Sequence, residues 1–329
     1  MRLQKEQPTI GILILNRNGR DWLSSIYESI QKQDYWGKKI YLIDNDSDDD
    51  SVKFTQQHYP EVAVIRMSQN LGYCMAYNLA MKQAFTDGCD WAIWANNDVK
   101  IEAGCLSEMV EVAQSDARIG VAGPAFLSWE KDEPNYYILG NYPEAIPSME
   151  NQSKDPMDVE WVEGSFLMVS RRCYESVGPL DPFLFLYWEE ADFCRRARFH
   201  GWRVVLIPSA LARHFGGGAA QSNPQYRCLA NYLRARNYFI YKLANPFQNF
   251  RKNLGDALHL FLVTIKQSLR IRPGAAIFCT KVFWQVLKDL GPIYQKWTRD
   301  RSKQFPPPLL EECKSAKMEI VCQRIPEIL

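Results

Sequence analysis

Four short apolar runs between residues 9 and 95 each end in a polar segment, and this alternation limits the folds open to the chain. The runs are continuous rather than alternating, as in strands that are buried on both faces of a sheet. Stretches with apolar residues at helical spacing separate them. Strand, helix and strand in this order form βαβ units with a parallel sheet. The predicted strands cover residues 9–16, 39–43, 62–66 and 91–95.

Polar side chains gather where these strands end, the edge at which open α/β sheets bind ligands. Asn16 ends the first run, Asp44 follows the second, and the bend Asn96-Asn97-Asp98 follows the fourth. Their oxygens can accept hydrogen bonds from a nucleotide, and Asp98 can ligate a hard cation such as Mg²⁺ or Mn²⁺. An ordinary Asx turn leading into a helix near residue 103 is the competing interpretation of the bend.

The loop after the second strand carries five aspartates within residues 44–50. Asp50 or Ser51 can cap the next helix, which explains the end of this acidic run structurally. Asp44 has no such local role, and its place at a strand tip predicts hydrogen bonds to a base or ribose. Asp46, in the same loop, is a further candidate nucleotide ligand.

Composition indicates a globular protein, since 47% of the 329 residues are hydrophobic and 23% are charged. Nine scattered cysteines without metal-type spacing predict reduced thiols in the cytoplasm. The polar residues 1–6 do not resemble a signal peptide. The apolar stretch 260–265 is far shorter than the roughly 20 residues that cross a bilayer. We therefore expect a cytoplasmic protein that does not span a membrane.

Charge divides the chain near residue 225. Residues 1–225 carry 21 Lys and Arg against 31 Asp and Glu, whereas residues 226–303 carry 15 against 3. We predict a first domain over 1–225, with a nucleotide half over about 1–100 and a second half over about 101–225. A basic helical extension over 226–303 and a proline-led tail over 304–329 follow.

The basic extension contains two predicted amphipathic helices. Their apolar faces comprise Leu254, Leu258, Phe261, Leu262, Ile265 and Leu269, then Val282, Phe283, Val286, Leu287 and Leu290. Basic residues surround them: Lys252, Lys266, Arg270, Arg272, Lys281, Lys288 and Lys296. Such helices can lie on an anionic leaflet, at the inner face of the cytoplasmic membrane, or pack on the first domain with a solvated basic side. No nucleic-acid-binding motif accompanies the charge, so nucleic acid is not an expected partner.

Three segments together resemble the inverting family 2 glycosyltransferases with the GT-A fold. In chain order they are Asp44-Asn45-x-Ser47-x-Asp49-x-Ser51, Asn70-x-Gly72-Tyr73-x-x-x-x-Asn78 and Asn96-Asn97-Asp98. The rhamnosyltransferase-like branch of surface-polysaccharide assembly, which includes O-antigen synthesis, is the most similar part of that family. The resemblance implies an α/β GT-A fold with a mainly parallel, Rossmann-like sheet, followed here by the C-terminal amphipathic helices.

In similar enzymes the first Asp contacts the nucleotide base, and the bend holds the donor diphosphate through a divalent metal, Mn²⁺ or Mg²⁺. Most relatives have Asp-x-Asp at the bend, whereas this chain has Asn96, so Asp98 is the one charged metal ligand that the bend offers. The implied nucleotide-binding residues are Asn16, Asp44, Asp46, Asn70, Gly72, Asn78, Asn97 and Asp98.

The resemblance continues on the acceptor side. Residues 161–172 resemble the family's Gly-Ser strand, which implies that Gly164, Ser165 and Trp188 bind the acceptor. Residues 187–196 resemble the family's acidic helix start, where Glu190 matches the catalytic base and Glu189 is the alternative. Acids also favour the first turn of a helix for electrostatic reasons alone.

Two further residues complete this expectation. Asp192 should point away from the site and pair with Arg195 or Arg196. His214 precedes three glycines, at 216–218, and in similar enzymes this histidine approaches the metal or the diphosphate.

The resemblance thus predicts a membrane-peripheral, metal-dependent inverting glycosyltransferase of cell-surface polysaccharide synthesis. It would move a sugar, with rhamnose as the candidate, from a dTDP- or UDP-linked donor to a hydroxyl of a glycan or lipid-linked acceptor. One alternative is a nucleotide-sugar-binding protein without transferase activity. The other is a sugar nucleotidyltransferase, against which the sequence shows no Gly-rich loop with Arg and Lys after the first strand.

Overall fold

The computed structural model describes residues 7–151, 153–216, 224–271 and 273–303. The predicted tail 304–329, the glycines at 217 and 218, and Arg272 lie outside the described residues. The strands are β1 (Ile10–Asn16), β2 (Lys38–Asp44), β3 (Ala63–Arg66), β4 (Trp91–Asn96), β5 (Val99–Ile101), β6 (Ile119–Leu127), β7 (Met157–Asp158), β8 (Phe166–Ser170) and β9 (Arg203–His214).

These strands form one nine-stranded sheet in the order β3-β2-β1-β4-β8-β6-β9-β5, with β7 paired to β9. The four strands predicted from the sequence are parallel neighbours. Strand β8 runs antiparallel between β4 and β6, and β9 runs parallel to β6. Such a mixed sheet with a parallel nucleotide half confirms the expected fold class.

Helices cover both faces of the sheet. They are α1 (Arg20–Gln31), α2 (Ser51–His58), α3 (Gly72–Thr86), α4 (Cys105–Ser115), α5 (Tyr136–Leu139), α6 (Ala145–Glu150), α7 (Arg171–Val177), α8 (Glu189–Phe199), α9 (Pro224–Leu243), α10 (Phe250–Ile271), α11 (Pro273–Lys288) and α12 (Leu290–Ser302). Ile12 and Ile14 face the core beneath α1 and α4, whereas Leu13 faces the core beneath α3 and α8. Burial on both faces explains why β1 is apolar throughout.

Three boundaries differ from the sequence prediction. Helix α3 begins at Gly72 rather than near residue 76, because Asn70 Oδ1 and the carbonyl of Phe185 accept from its first two amides. The bend after β4 leads into β5 before α4 starts at Cys105, since β5 pairs with distant β9. The strand in 161–172 is confined to β8, where Ser170 caps α7 by accepting from the amide of Cys173 at 3.1 Å.

The C-terminal helices share a core with the sheet. Leu233, Ile240, Val282 and Ile293 are buried in the same cluster as α3 and α8. Lys296, which we expected on a solvated basic side, is buried instead. The division of the chain near residue 225 remains a prediction.

One predicted apolar face of α10 is only partly covered. Phe261 stacks on Phe283 of α11 with ring centroids 4.0 Å apart. Four leucines of the same helix are 38–59% exposed: Leu254, Leu258, Leu262 and Leu269. None of the helices in the described ranges combines the length and apolarity that a bilayer crossing needs. The seven cysteines within those ranges form no disulfide.

Candidate active site

Three predicted site residues leave the sheet at one edge. Asn16 and Asp44 are register partners at the ends of β1 and β2, and Asn96 ends β4 opposite Leu15. This is the carboxyl edge of the parallel strands, where α/β sheets bind ligands. Parallel pairing therefore gathers these polar groups as the sequence predicted.

Asp44 is 0% exposed, and neither of its carboxylate oxygens accepts a hydrogen bond within the described part of the chain. Arg66 Nε lies 3.5 Å from Oδ2, which makes an ion pair but not a well-formed hydrogen bond. A buried carboxylate without hydrogen bonds is costly, so Asp44 is suited to accept from donor groups of a base. Asp46, half-buried nearby, has a left-handed backbone with φ of 67°.

Asn70 and Gly72 form a turn that Asn45 holds in place. The Asn45 amide donates to Asn70 Oδ1 at 3.0 Å, and Asn45 Oδ1 accepts from the amide of Leu71 at 2.9 Å. Gly72 has φ of 72°, and a Cβ there would lie 2.4 Å from the Phe185 ring. Glycine is therefore required for both conformation and space. The side-chain oxygen of Asn70 thus stabilises the turn, a role that the sequence did not indicate beside the predicted nucleotide contact.

Asn97 lies against the turn that follows β1. Its Nδ2 donates to Asn16 Oδ1 at 2.7 Å, and Asn16 Nδ2 donates in turn to Ser47 Oγ at 3.3 Å. A Cβ on Gly19 would lie 1.9 Å from Asn97 Nδ2, so only glycine permits this approach. The bend and the first two strand tips therefore form one connected polar surface.

Asp98 and His214 meet because β5 and β9 pair side by side. Val99 is the register partner of His214, which brings Asp98 Oδ1 within 3.2 Å of His214 Nε2. Burial lowers the pKa of His214, but the hydrogen bond and charge of Asp98 outweigh it, together with the charge of Glu163. The net pKa of His214 is raised, so the Asp98–His214 pair favours the protonated ring when no cation is bound.

The Asp98–His214 pair fits a metal that is held partly by substrate. Two ligands in adjacent octahedral positions, each about 2.1 Å from Mg²⁺, are about 3.0 Å apart, close to the 3.2 Å of this pair. No group of three or more His, Cys, Asp or Glu suited to a metal occurs among the described residues. Mg²⁺ is commonly bound by one or two carboxylates with waters and substrate phosphates, and Asp98 is a carboxylate of this kind.

Glu189 and Glu190 begin α8 and turn toward the cleft. Burial raises the pKa of Glu190 to about 7, with the charge of Glu163 adding to the effect. Burial and the charge of Glu190 raise the pKa of Glu189 well above its ordinary value. Each of the two carboxyl groups has one buried oxygen with no hydrogen-bond partner among the described residues. Burial and mutual repulsion therefore favour protonation of this carboxyl pair relative to ordinary glutamates.

Gly164 lies beside Glu190 and is followed by Ser165. A Cβ on Gly164 would lie 3.1 Å from Glu190 Cβ, so glycine allows the close approach. The hydroxyl of Tyr73 donates to the Gly164 carbonyl at 2.7 Å and fixes this segment against α3. Ser165 Oγ is buried without a partner in the described structure. Gly164 thus packs closely against Glu190, and Tyr73 holds it there.

Trp188 precedes Glu189 with φ of 72°. Its ring lies 4.9 Å from that of Tyr238 and 5.2 Å from that of Tyr241, both on α9. Its Nε1 donates to the carbonyl of Arg234 at 3.1 Å. An aromatic surface thus borders the acidic helix start, suited to contact with a sugar ring.

Asp192 points away from the cleft, and its predicted salt bridge is confirmed. Arg195 donates to Asp192 Oδ1 at 2.9 Å and Arg196 to Oδ2 at 3.0 Å. Lys296 of α12 also contacts this carboxylate, at 2.9 Å. The helix that carries Glu190 is therefore anchored from behind by buried charges.

The side chain of Asn78, for which the resemblance implies a nucleotide contact, bonds to the backbone of Leu180. Its Nδ2 donates to the carbonyl of Leu180 and its Oδ1 accepts from the amide of Leu180, each at 2.8 Å. The side chain is buried between α3 and the segment before α8. Asn78 therefore joins two parts of the scaffold, and its contact with a nucleotide stays a prediction.

The chain matches Glycosyl transferase family 2 over residues 9–178, slightly more than half its length. It belongs to this family. N-acetylglucosaminyl-diphospho-decaprenol L-rhamnosyltransferase of Mycobacterium tuberculosis is 27% identical over 221 residues, 59% of this chain and 71% of that protein. The dTDP-rhamnosyl transferase RfbF of Shigella flexneri is 24% identical over 224 residues, 64% of this chain and 74% of that protein.

Solved structures agree with the family at the level of the fold. Mannosyltransferase PcManGT from Pyrobaculum calidifontis, in complex with GDP-Man and Mn²⁺, superposes with a TM-score of 0.53. It is 14% identical, and the match covers 91% of this chain and 85% of that one. The expected GT-A fold of this glycosyltransferase is therefore confirmed.

Two groups of this glycosyltransferase's site escaped sequence reasoning. The charge of Glu163 raises the pKa values of both His214 and Glu190, so Glu163 lies near the Asp98–His214 pair and near the acidic helix start. Its position directly before Gly164, a predicted acceptor-binding residue, could have identified Glu163 as a candidate site residue. Tyr238 and Tyr241 come from α9, beyond the matched residues, and nothing in the local pattern marked them.

Proposed function

We propose that this glycosyltransferase transfers a sugar with inversion from a nucleoside-diphosphate donor to an acceptor hydroxyl, with Glu190 as the base. The observation that carries the proposal is the half-buried Glu190 carboxyl, which lies against Gly164 at the sheet edge that also presents Asp44 and Asp98 and has a pKa raised to about 7. Such a group is partly ionised near neutral pH and can take the hydroxyl proton as the oxygen attacks the anomeric carbon.

Glu189 is the alternative base, and burial together with the charge of Glu190 raises its pKa well above its ordinary value. A protonated Glu189 cannot act as base near neutral pH, but it can donate a hydrogen bond to a sugar hydroxyl. Gly164 and Ser165 would then line the acceptor side, and the ring of Trp188 would contact the acceptor sugar.

The donor would bind along the connected polar surface from Asp44 to Asp98. Asp44 would accept hydrogen bonds from the base, and Asn16 and Asn97 would lie beneath the ribose and diphosphate. Both named relatives are rhamnosyltransferases and one is named for dTDP, which makes dTDP-rhamnose the first donor to test and a UDP-sugar the second.

Asp98 and His214 would hold Mn²⁺ or Mg²⁺, a proposal supported by their separation and by the PcManGT complex with Mn²⁺. A bound divalent cation would neutralise charge on the departing nucleoside diphosphate. The protein's own part is to keep Asp98 oriented through the β5–β9 pairing, because the amide of Phe215 donates to the Asp98 carbonyl at 3.1 Å.

Isothermal calorimetry with dTDP and UDP, each with and without Mn²⁺, tests the donor site. We expect tighter binding of one nucleotide with the metal and loss of that gain in Asp98→Ala. No binding of either nucleotide would overturn the donor assignment.

Turnover of dTDP-rhamnose with N-acetylglucosaminyl-diphospho-decaprenol, the acceptor in a relative's name, tests the base. Glu190→Gln should bind nucleotide normally and lose about 10²–10⁴-fold in kcat, while Glu175→Gln, an exposed control, stays active. Full activity of Glu190→Gln would refute its role. Nucleotide binding without transfer by the wild-type protein to this or any glycan acceptor would favour the binding-protein alternative.

We also propose peripheral contact with an anionic membrane through α10 and α11. Two further apolar side chains, Ile277 and Trp284 on α11, are 63% and 61% exposed beside the leucines of α10. Exposed Lys252, Lys266 and Lys288 lie on the same two helices. An apolar surface with a basic border suits an interfacial helix on anionic lipid.

Sedimentation with vesicles of mixed neutral and anionic lipid tests this contact. The double variant Leu258→Glu/Leu262→Glu should lose binding, whereas Gln267→Glu, which adds a charge at an exposed polar position of α10, should retain most of it. Equal binding of the double variant and the wild type would refute the proposal.

A further inference from the structure

The loop before the acidic helix has an unusual backbone. Phe185, Tyr187 and Trp188 have φ of 62°, 70° and 72°, and they are half of the six non-glycine residues with positive φ in the described structure. Side chains with a Cβ seldom adopt this region, and such conformations persist only where surrounding contacts enforce them. The loop leads directly into Glu189, so whatever holds it also sets where α8 begins.

Helix α3 holds one side of the loop. The carbonyl of Phe185 accepts from the amide of Tyr73 at 2.9 Å, and the Phe185 ring lies over Gly72. This contact ties the loop to the turn that carries Asn70. It fixes one carbonyl and leaves those of Leu184, Leu186 and Tyr187 to other partners.

Asn237 of α9 takes these three carbonyls. Its Nδ2 lies 2.7 Å from the carbonyl oxygen of Leu184, 2.9 Å from that of Leu186 and 3.0 Å from that of Tyr187. Asn237 is 0% exposed. The two hydrogens of the Asn237 side-chain amide are thus shared among three carbonyl groups of one short loop. In an extended strand, neighbouring carbonyl groups point in opposite directions and could not all face one nitrogen.

Arg236 fixes the orientation of the Asn237 amide. Its Nη1 donates to Asn237 Oδ1 at 2.9 Å and to the Phe183 carbonyl at 3.2 Å, while its Nη2 pairs with Asp289 at 3.1 Å. An oxygen that accepts from a guanidinium must face it, so the NH₂ group must face the loop. Arg236 and Asn237 together therefore clamp the segment 183–187.

We propose that Asn237 is a positioning residue for sugar transfer, which holds the loop so that Glu189 and Glu190 enter the cleft at the start of α8. The proposal rests on the proposed function of Glu190. Asn237 acts through the backbone and has no contact with the reacting groups. Its loss should therefore reduce kcat and leave nucleotide binding at Asp44 and Asp98 intact.

Asn253 provides a matched control within the same helical region. Its Nδ2 donates to the carbonyls of Leu243 and Asn245, each at 2.9 Å, and its side chain is likewise buried. The chemistry equals that of Asn237, but the carbonyls belong to the α9–α10 connection. Replacing either Asn by Asp keeps the size and turns the amide donor into an acceptor that faces carbonyl oxygens.

The test compares Asn237→Asp and Asn253→Asp in the full chain. We expect kcat for dTDP-rhamnose transfer to fall by about 100-fold in Asn237→Asp, as for small misplacements of a catalytic group, with donor KM within about threefold. Asn253→Asp should keep kcat within about threefold at a similar loss of thermal stability. Equal kcat losses in the two variants, or a normal kcat in Asn237→Asp, would overturn the proposal.

Hydrogen exchange separates this inference from the proposed function, because it needs no turnover. Peptides spanning 184–192 should take up deuterium faster in Asn237→Asp and at the wild-type rate in Asn253→Asp. Unchanged exchange in Asn237→Asp refutes the clamp even if activity falls. If the wild-type protein transfers no sugar but Asn237→Asp still exchanges faster, the role of Glu190 is refuted. The contacts of Asn237 with the loop are then purely structural. Asn237→Ser, which retains one donor, replaces the Asp variant if that one does not fold.

Discussion

Replacing Lys296 by Met should destabilise the protein strongly, because Lys296 is the buried cation on which three carboxylates converge. Its Nζ lies 3.2 Å from Asp181, 2.9 Å from Asp192 and 2.8 Å from Asp300. Asp192 and Asp181 each have a close arginine partner as well, whereas Arg299 Nε lies 4.0 Å from Asp300 and the charge of Arg196 acts on Asp300 from a distance. Methionine fills a similar volume but leaves Asp300 without a close cation.

The magnitude follows from the burial of these groups. Removing one partner of a buried ion pair costs about 3–5 kcal/mol, since the remaining charge stays desolvated. At an unfolding entropy of about 2 cal/mol/K per residue, roughly 300 ordered residues give a Tm lowered by about 5–8 °C. Burial already raises the pKa of Asp300 in the presence of Lys296. Losing Lys296 raises it further.

The effect of pH on this loss of stability tests whether the Asp300 carboxylate causes it. A folded-state pKa above the unfolded value makes stability fall as pH rises through that interval. The deficit of Lys296→Met should therefore be larger at pH 8 than at pH 5, where Asp300 is more easily protonated.

Thermal unfolding at both pH values measures the deficit, with exposed Lys288→Met as the control. The double variant Lys296→Met/Asp300→Asn should recover part of the loss, because it removes the carboxylate that lost its close cation. A Tm within 2 °C of wild type, or no recovery in the double variant, would refute the reasoning.

Three further predictions concern the carboxyl groups near Gly164. Glu163→Gln removes a negative charge that raises the pKa of Glu190. The acid limb of the plot of kcat against pH should therefore move from near pH 7 to lower pH. Replacement of the exposed Glu160 by Gln is the control and should leave the acid limb in place. Gly164→Ala places a Cβ 3.1 Å from Glu190 Cβ and should lower kcat by roughly tenfold in the same assay. Glu189→Gln should raise the Tm more at pH 8 than at pH 5. The raised pKa of Glu189 means that folding must protonate a carboxyl that is ionised in the unfolded chain, and this cost grows with pH. An equal shift of the Tm at both pH values would contradict a raised pKa.

The nucleotide half of the fold was predictable because its signals are local. Apolar runs identified β1, β2, β3 and β4, and the polar residues at their ends, such as Asn16 and Asp44, had to meet once the strands were parallel. Gly72 was recognisable as a close-approach position from its place in a polar turn. Each of these inferences needs only sequence neighbours and the geometry of a parallel sheet.

Long-range pairing set the limit of sequence reasoning. The contact between Asp98 and His214 depends on β5, a strand of three residues that pairs with β9 more than a hundred residues later. The resemblance alone suggested this contact. Asn78 was assigned to the nucleotide, but the backbone of Leu180, 102 residues away, takes both its polar atoms. Hydrogen bonds to backbone carbonyls, such as those of Asn237, cannot be predicted from residue types, because every residue has a carbonyl group.

The C-terminal helices therefore contact the candidate active site through their inner surface. The family match ends at residue 178, yet Glu190, His214 and the Asn237 clamp all lie beyond it. Lys296 neutralises carboxylates behind α8, and Asn237 fixes the loop in front of α8, so the acidic helix start is held from two sides. The exposed apolar row of α10 lies on the opposite surface of the same helices. Contact of that row with a membrane would therefore need no rearrangement of the groups that we propose for catalysis.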